Sequence, residues 1–253
     1  MDRLLAATAA AEDRHFWFLG LRRFAKLMLD RALPARRPLR ILDCGTGTGR
    51  NLDWLQEYGW AVGVERSPTG LAAARARGRR VIVGDVTNLP MPSGFFDLAT
   101  SFDVIYSLDD EGERRAFREM HRVLAPGGLV LVNAAALDML RGSHSALANE
   151  RRRYTAGRLK SRFEDAGFDV VRMSYTNFTT LPLTLAVRLA QRARGQSHEA
   201  GETEMTVPMK PVNWILAAAL AAESVLLRLM PLPAGSSVMC VARKNSQLTK
   251  ITS

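Results

Sequence analysis

The feature that most constrains this 253-residue chain is a short apolar segment that leads directly into a glycine-rich loop, Ile41-Leu42-Asp43-Cys44-Gly45-Thr46-Gly47-Thr48-Gly49. Glycine allows the backbone to turn tightly, and it allows a ligand to approach without contacting a Cβ atom. Dinucleotide-binding enzymes use the same device, but their G-x-G-x-x-G spacing, counted from Gly45, would require glycine at the position of Arg50. The loop therefore predicts a ligand site of the open α/β type and disfavours a dinucleotide oxidoreductase.

Short apolar runs alternate with amphipathic stretches along most of the chain. The runs cover residues 39–42, 61–64, 81–83, 96–100 and 129–133, and two more follow at 169–175 and 238–242. Strand and helix in alternation predict a mostly parallel sheet with helices on both faces. Before the first run, apolar residues at helical spacing predict a helix over 12–31.

Acidic residues stand at the ends of the first three predicted strands. Asp43 precedes the glycine loop, Glu65 ends the next strand, and Asp85 ends the third. Successive parallel strands end at one edge of a sheet, where open α/β folds bind ligands, and a carboxylate about 20 residues beyond the first glycine can accept both hydroxyls of a ribose. We therefore expect the three carboxylates to line one ligand site.

On these motifs the sequence resembles the class I S-adenosylmethionine (SAM)-dependent methyltransferases, over about residues 40–133 and more weakly beyond. The stretches 85–90, 95–98 and 120–128 also look like that family. The resemblance implies a Rossmann-like, seven-stranded, mostly parallel sheet that binds SAM and releases S-adenosylhomocysteine (SAH), with no metal. It implies a SAM loop made of Asp43, Gly45, Thr46, Gly47 and Gly49. It further implies that Glu65 holds the ribose hydroxyls and that Asp85 accepts from the adenine amino group, with Val86 beside the ring.

The residues around the end of the fourth strand depart from the family. Many relatives carry a Glu-His pair where this chain has Tyr106-Ser107, close to the position that borders the methionine tail or the acceptor. Phe102 at that strand end is assigned to the cofactor site by the same resemblance. No catalytic base is evident, and the candidates are Tyr106, His15 and Tyr154.

The N-terminal residues 12–18, followed by Arg22-Arg23, resemble the helix that closes over the cofactor in a bacterial subset of the family. In that subset, residues 151–155 also have a counterpart, which lies near the acceptor pocket. By this analogy His15, Trp17, Arg22 and Tyr154 lie at the pocket, and Arg153 could hold an anionic acceptor. The alternative is that Trp17 belongs to the core, His15 caps a helix or lies at the surface, and the arginines are solvated. The resulting organisation is an N-terminal helical cap over 1–38 and a methyltransferase domain over 39–253, with a helical lid or insertion over 176–232.

The charge balance points to an acidic partner. The chain has 35 Lys and Arg against 25 Asp and Glu, a formal net charge of +10 and a pI near 10.4. Nucleic acid, an anionic membrane surface and an anionic substrate fit this charge, as does a merely arginine-rich surface. The arginine clusters contain no interleaved aromatic residues, so RNA binding is not specifically indicated.

The two cysteines, Cys44 and Cys240, cannot build a disulfide framework, and no zinc-ligand cluster is evident. A reducing, cytoplasmic location is therefore expected. The first residues lack the apolar core of a signal peptide. The most apolar run, 214–222, ends at Glu223, short of the roughly 20 residues that cross a bilayer.

The apolar run 214–222 belongs to a predicted helix that also has polar residues. Asn213, Ser224 and Arg228 project within about 60° of one another on a helical wheel. This pattern predicts an amphipathic helix that packs on the domain, with a substrate lid or a membrane-facing helix as alternatives. Together with the loop segment 195–211, it would help the first helix to enclose the acceptor.

These observations favour an enzyme that transfers the methyl group of SAM by in-line displacement. The acceptor would be a small molecule that carries a thiol, hydroxyl, quinone or lipid-like group, and the charge of the chain also allows an anionic acceptor. An RNA-directed methyltransferase and a non-catalytic SAM-binding regulatory protein are the alternatives. Peripheral membrane contact fits the charge, and the sequence predicts no oligomeric state.

Overall fold

A single seven-stranded sheet organises the chain. The computed structural model describes residues 2–33, 38–141, 148–193 and 206–245. The strand order is β3-β2-β1-β4-β5-β7-β6, in which β7 runs antiparallel to both of its neighbours and the other pairs are parallel. This architecture confirms the predicted Rossmann-like sheet. The strands are β1 Leu39–Cys44, β2 Gly59–Glu65, β3 Val81–Val83, β4 Phe96–Phe102, β5 Leu124–Ala135, β6 Phe168–Thr176 and β7 Ser237–Lys244.

Helices cover both faces of the sheet, because successive side chains of a buried strand point to opposite faces. On one face Leu42 belongs to a core with α5 and α6; on the other, Ile41 belongs to a core with α2, α3 and α8. The described helices are α1 Asp2–Ala11, α2 Phe16–Ala32, α3 Arg50–Leu55, α4 Pro68–Ala76, α5 Asp110–Val123, α6 Ala156–Asp165, α7 Leu181–Ala193 and α8 Lys210–Leu229.

The helix predicted over 12–31 begins four residues later, as α2, and a tight turn joins it to α1, which the sequence did not predict. α1 ends at Ala11, and α2 begins at Phe16 with His15 as its N-cap. The side chain of Glu12 turns inward to the glycine loop, and this tertiary contact ends the helical run. The helical spacing of Trp17, Leu21, Phe24 and Met28 holds along α2, where Leu21, Phe24 and Met28 are buried, but it does not extend to the turn before α2.

Two helices, α7 and α8, lie between β6 and β7, in the region predicted as an insertion. α7 has no counterpart in the sequence-based prediction, and residues 195–205 of the predicted lid lie outside the described residues. α8 crosses α2 closely at Gly20, where an added Cβ would lie 2.4 Å from Leu220 Cδ1. Among the described helices, α8 alone has the length and apolar composition of a bilayer span, a test that core helices of soluble proteins also pass.

A buried carboxylate, Glu113, joins α5 to the segment that leads into α6. It is fully buried and accepts from Arg152 Nη1 at 2.8 Å and from Arg162 Nε at 3.0 Å. The Tyr154 hydroxyl donates to its other oxygen. A buried carboxylate needs such partners, because an uncompensated charge in the interior is costly.

We expect Glu113→Ala to lower the free energy of unfolding by about 3 kcal/mol, because it leaves the arginines and the tyrosine hydroxyl without their common acceptor. Urea denaturation measures this change. Glu111→Ala is the matched control on the same helix, since the Glu111 side chain is 56% exposed and its ion pairs with Arg114 and Arg118 lie at the surface. The control should cost less than about 1 kcal/mol. Equal losses in the two variants would show that Glu113 has no special role.

Candidate functional site

The glycine-rich loop follows β1 and turns sharply at its glycines. Gly45, Gly47 and Gly49 have φ angles of 77°, 56° and 77°, in the left-handed region that other residues rarely adopt. The amides of Gly45 and Thr46 both donate to the carbonyl oxygen of Val64, at 2.8 and 3.0 Å. The loop is therefore anchored on β2 before α3 begins.

Asp43 supports the loop from behind. It is 1% exposed and accepts from Thr46 Oγ1 and Thr100 Oγ1, both at 2.7 Å. Burial raises the pKa of this carboxyl to about 6, although the two hydroxyls oppose the shift. Asp43 does not line the cavity in front of the loop, and neither does Gly49. Their predicted roles in cofactor binding are thus limited to shaping the loop.

Glu65 at the end of β2 touches the loop directly. Its Oε2 accepts from the amide of Gly47 at 2.8 Å, while Oε1 accepts from the amides of Arg66 and Ser67. Four oxygen lone pairs are available on a carboxylate, so these bonds leave capacity for a ligand hydroxyl. Glu65 is 8% exposed and lines the cavity.

Asp85 lies beyond β3 at the same edge. Its Oδ1 accepts from the amide and the hydroxyl of Thr87, both at 2.7 Å, and Arg66 Nη1 lies 3.6 Å from Oδ2. Burial raises the pKa of this carboxyl, but the Thr87 hydrogen bonds and the Arg66 charge outweigh it, so the pKa is below its ordinary value. Asp85 is therefore an ionised acceptor at neutral pH.

One cavity of about 630 Å³ runs along the carboxyl ends of the parallel strands. Its first half lies at the ends of β1 to β3, beside Thr46, Gly47, Glu65, Asp85 and Val86. Its second half lies beyond β4 and β5, where Phe102, Asp103, Tyr106, Glu150 and Arg153 line it. The volume is within the range of small-molecule and cofactor sites. The structure thus brings most of the predicted residues to one cavity.

The N-terminal helices α1 and α2 cover part of the cavity. Leu5, His15, Trp17 and Arg22 line it, as the resemblance implied for the last three. Glu12 ties this segment to the loop, since it accepts from Thr48 Oγ1 at 2.7 Å and from Arg77 Nη2 at 2.8 Å. Sequence reasoning did not assign a role to Glu12 or Thr48.

His15 serves both as a helix cap and as a cavity residue. Its Nδ1 accepts from the amide of Trp17 at 3.2 Å, which satisfies one of the free amides at the start of α2. Burial lowers the pKa of His15 to about 4. The imidazole is consequently neutral at pH 7, and the cap bond occupies one of its nitrogens.

The two tyrosine candidates differ in location. Tyr106 is 6% exposed and lines the cavity, and burial raises the pKa of its hydroxyl well above the ordinary value. Tyr154 is fully buried in the core and does not line the cavity, because its hydroxyl is bound to Glu113 beneath β5. The prediction that Tyr154 is a pocket residue is therefore wrong.

Asp103, directly after β4, faces the second half of the cavity. Its backbone is left-handed, with φ of 58°, and both carboxylate oxygens accept from Asn133 Nδ2 at 3.1 Å. Burial and, to a lesser degree, the charge of Glu150 raise the pKa of this carboxyl to about 7. Sequence reasoning missed Asp103, although the strand-end argument that found the other three carboxylates applies to it equally.

Arg153 also reaches the second half of the cavity, but it is already paired. Its Nε and Nη2 donate to the two oxygens of Glu150 at 2.6 and 3.1 Å, and Nη1 donates to the Ala136 carbonyl. The side chains are only 7% and 2% exposed. Because Glu150 neutralises the guanidinium, the expectation that Arg153 holds an anionic acceptor finds no support.

Comparison with known proteins identifies part of the chain that lines this cavity. Residues 42–132 match a family profile described as a methyltransferase domain. A demethylmenaquinone methyltransferase of Thermus thermophilus is 40% identical over 121 residues, which are 44% of this chain and 51% of that protein. A tRNA (carboxymethyluridine(34)-5-O)-methyltransferase of Arabidopsis thaliana is 35% identical over 99 residues, 39% of this chain and 24% of that protein. The chain thus spans about half or less of these relatives.

The fold match extends much further than the sequence match. A solved SAM-dependent methyltransferase of Thermotoga maritima covers 91% of both chains with a TM-score of 0.60 at 22% identity. Residues 42–132 therefore form a methyltransferase domain within a class I SAM-dependent fold. The site residues suit SAM, since Gly47 lines the cavity where an added Cβ would lie 3.3 Å from Leu5 Cδ2, and the carboxylates of Glu65 and Asp85 line the same cavity as hydrogen-bond acceptors.

We expect Glu65→Gln to weaken SAH binding by about 10- to 100-fold, because a neutral amide replaces the charged acceptor and its NH2 group would face backbone amides. Isothermal titration calorimetry measures the loss. Glu57→Gln is the matched control, since that side chain is 61% exposed and pairs with Lys26 at the surface. Undiminished SAH affinity in Glu65→Gln would place the ribose hydroxyls elsewhere.

Proposed function

We propose that the protein is a SAM-dependent methyltransferase that acts on a small, largely apolar acceptor with a removable proton. The observation that carries the proposal is the continuity of one cavity from Glu65 and Asp85 to Asp103. Glu65 and Asp85 suit the nucleoside of SAM, and the half of the cavity at Asp103 has room for an acceptor. The methyltransferase domain and its relatives support the reaction class.

The chemistry asks the protein mainly for alignment. SAM supplies an electrophilic methyl group on a sulfonium, which a nucleophile attacks in line. Correct positioning of two reactants contributes about 7–11 kcal/mol to lowering such a barrier. The loop at Gly47 and the carboxylates orient one partner, while the cap held by Glu12 and Thr48 shields the reacting centre from water.

Asp103 is the residue we assign to the acceptor proton. Its bonding partner is the neutral amide of Asn133, and in the described parts of the chain no ion pair neutralises it. A carboxylate poised near neutral pH can accept a proton from a hydroxyl, phenol, thiol or ammonium group as the methyl group arrives. Tyr106 and neutral His15 lie in the same cavity and would position the acceptor rather than ionise.

The acceptor half of the cavity selects for apolar compounds. Leu140, Leu183, Val187 and Leu216 line the same cavity as Asp103. Such a lining suits a quinol, a phenol or a lipid-like alcohol better than a strongly anionic compound, because Glu150 occupies Arg153. The demethylmenaquinone methyltransferase among the relatives is consistent with an aromatic acceptor.

RNA is the second candidate acceptor, and a regulatory SAM-binding protein the third. The Arabidopsis relative is a tRNA methyltransferase, and the net charge of +10 would favour nucleic acid. A salt-sensitive complex with tRNA and methyl transfer to it would replace the small-molecule proposal. SAM binding without turnover on any acceptor would instead favour the regulatory role.

We expect Asp103→Asn to lower methyl transfer by about 10²- to 10⁴-fold, because the amide cannot accept the proton. The assay is transfer from methyl-labelled SAM to a panel of phenols, quinols, thiols, amines and tRNA. Wild-type turnover should rise from pH 6 to pH 8, as Asp103 with its pKa of about 7 loses its proton. The variant should lose this rise.

SAH affinity provides the control for this variant. Asp103→Asn should bind SAH as tightly as the wild type, because Asp103 lies in the acceptor half of the cavity. A variant that keeps full turnover and the same pH profile would contradict the role of Asp103. That result would not contradict the assignment of the SAM site.

A further inference from the structure

The outward face of α8 is entirely apolar. Successive residues of an α-helix are about 100° apart, so eight exposed positions fall within an arc of about 120°. Trp214 is 71% exposed and Leu229 80% exposed. The eight residues, called here the α8 outer face, are Pro211, Trp214, Ile215, Ala218, Ala222, Val225, Leu226 and Leu229.

Two polar residues of α8, Asn213 and Glu223, point away from this face and into the domain. Asn213 Oδ1 accepts from the amide of Phe16 at 2.9 Å and thereby caps α2, while its Nδ2 donates to the Arg14 carbonyl. Glu223 is 1% exposed, and its Oε2 accepts from the amide and hydroxyl of Thr179, both at 2.8 Å. The helix is amphipathic, as predicted, but Asn213 and Glu223 hold it to the protein and its apolar side faces the surroundings.

A surface helix normally has the reverse arrangement, with its apolar stripe against the core. Contiguous apolar surface of this kind marks a site of interaction with a membrane or another molecule. α8 cannot leave the fold to expose its other side, because Leu220 and Leu227 are fully buried and Gly20 packs against Leu220. The outer face must therefore be covered in place.

Cations flank both ends of the α8 outer face. Lys210 and Arg228 are exposed on one edge of the helix, 18 residues and thus five turns apart. The chain as a whole carries a net charge of +10. Two copies of this chain would repel each other, whereas an anionic surface would be attracted.

We infer that α8 docks the protein on an anionic lipid bilayer, with its outer face in the headgroup region. Helices lying in this plane bury their apolar side at the boundary of the acyl chains, and nearby cations add attraction to anionic lipids. Trp214 is suited to that boundary, because its indole ring has an apolar body and a polar N–H group.

Docking in this orientation would place the α8 side of the cavity next to the bilayer. Pro208 and Leu216, from α8 and the segment before it, line the cavity together with Leu183 and Val187 of α7. Leu183 and Val187 are themselves 51% and 46% exposed. A lipid-like acceptor would then enter from the membrane, a step that rests on the proposed function, whereas the docking itself does not.

The test is binding to vesicles, measured by sedimentation and by Trp fluorescence, without any acceptor or SAM. The wild type should bind vesicles of phosphatidylcholine with phosphatidylglycerol more tightly than phosphatidylcholine alone, and high salt should weaken binding. The double variant Trp214→Ser/Leu229→Ser should bind at least about tenfold more weakly. Both residues are exposed, so its circular dichroism should match the wild type.

Trp60→Ser is the matched control, since Trp60 is 43% exposed at the start of β2, at the other ends of the parallel strands. It should bind vesicles as the wild type does. The inference fails if the wild type does not bind anionic vesicles or if the double variant binds equally well. It also fails if the wild type is a dimer in solution that the double variant dissociates, because a second copy then covers α8.

Discussion

The site depends on the hydrogen bonds that hold a tightly turned glycine loop at the carboxyl end of β1. Asp43 holds the loop from behind through Thr46, and Glu65 holds it from the neighbouring strand through the amide of Gly47. The parallel register pairs Asp43 with Gly63, where an added Cβ would lie 2.5 Å from Thr46 Cγ2. Loop, strand pairing and ligand site are therefore one unit, and a change in any of them displaces the others.

The strand-end residues could be predicted because the sheet alone places them. All seven strands follow from apolar runs, and parallel strands that end at one edge bring Glu65 and Asp85 together without further information. Asp103 directly follows β4 and was predictable in the same way. Tyr154 could not be placed in this way, because its direction depends on Glu113, which is 41 residues away in sequence.

Helical periodicity divides an amphipathic helix into a polar and an apolar side, but it does not always show which side faces the protein. Asn213 and Glu223 group on one side of α8, and a wheel alone assigns such a side to solvent. Here they bind the start of α2 and Thr179, so the protein uses its polar groups as internal caps and presents apolar residues outward. The break between α1 and α2 has a similar origin, since Glu12 is drawn to Thr48.

Binding of SAM by this loop can be checked by titration calorimetry of the wild-type protein with SAH and, separately, with NADH. We expect micromolar SAH binding at one site per chain and no measurable NADH binding, because the glycine spacing and the carboxylates suit SAM. A folded protein that binds NADH, or that binds neither compound, would contradict SAM binding by this loop.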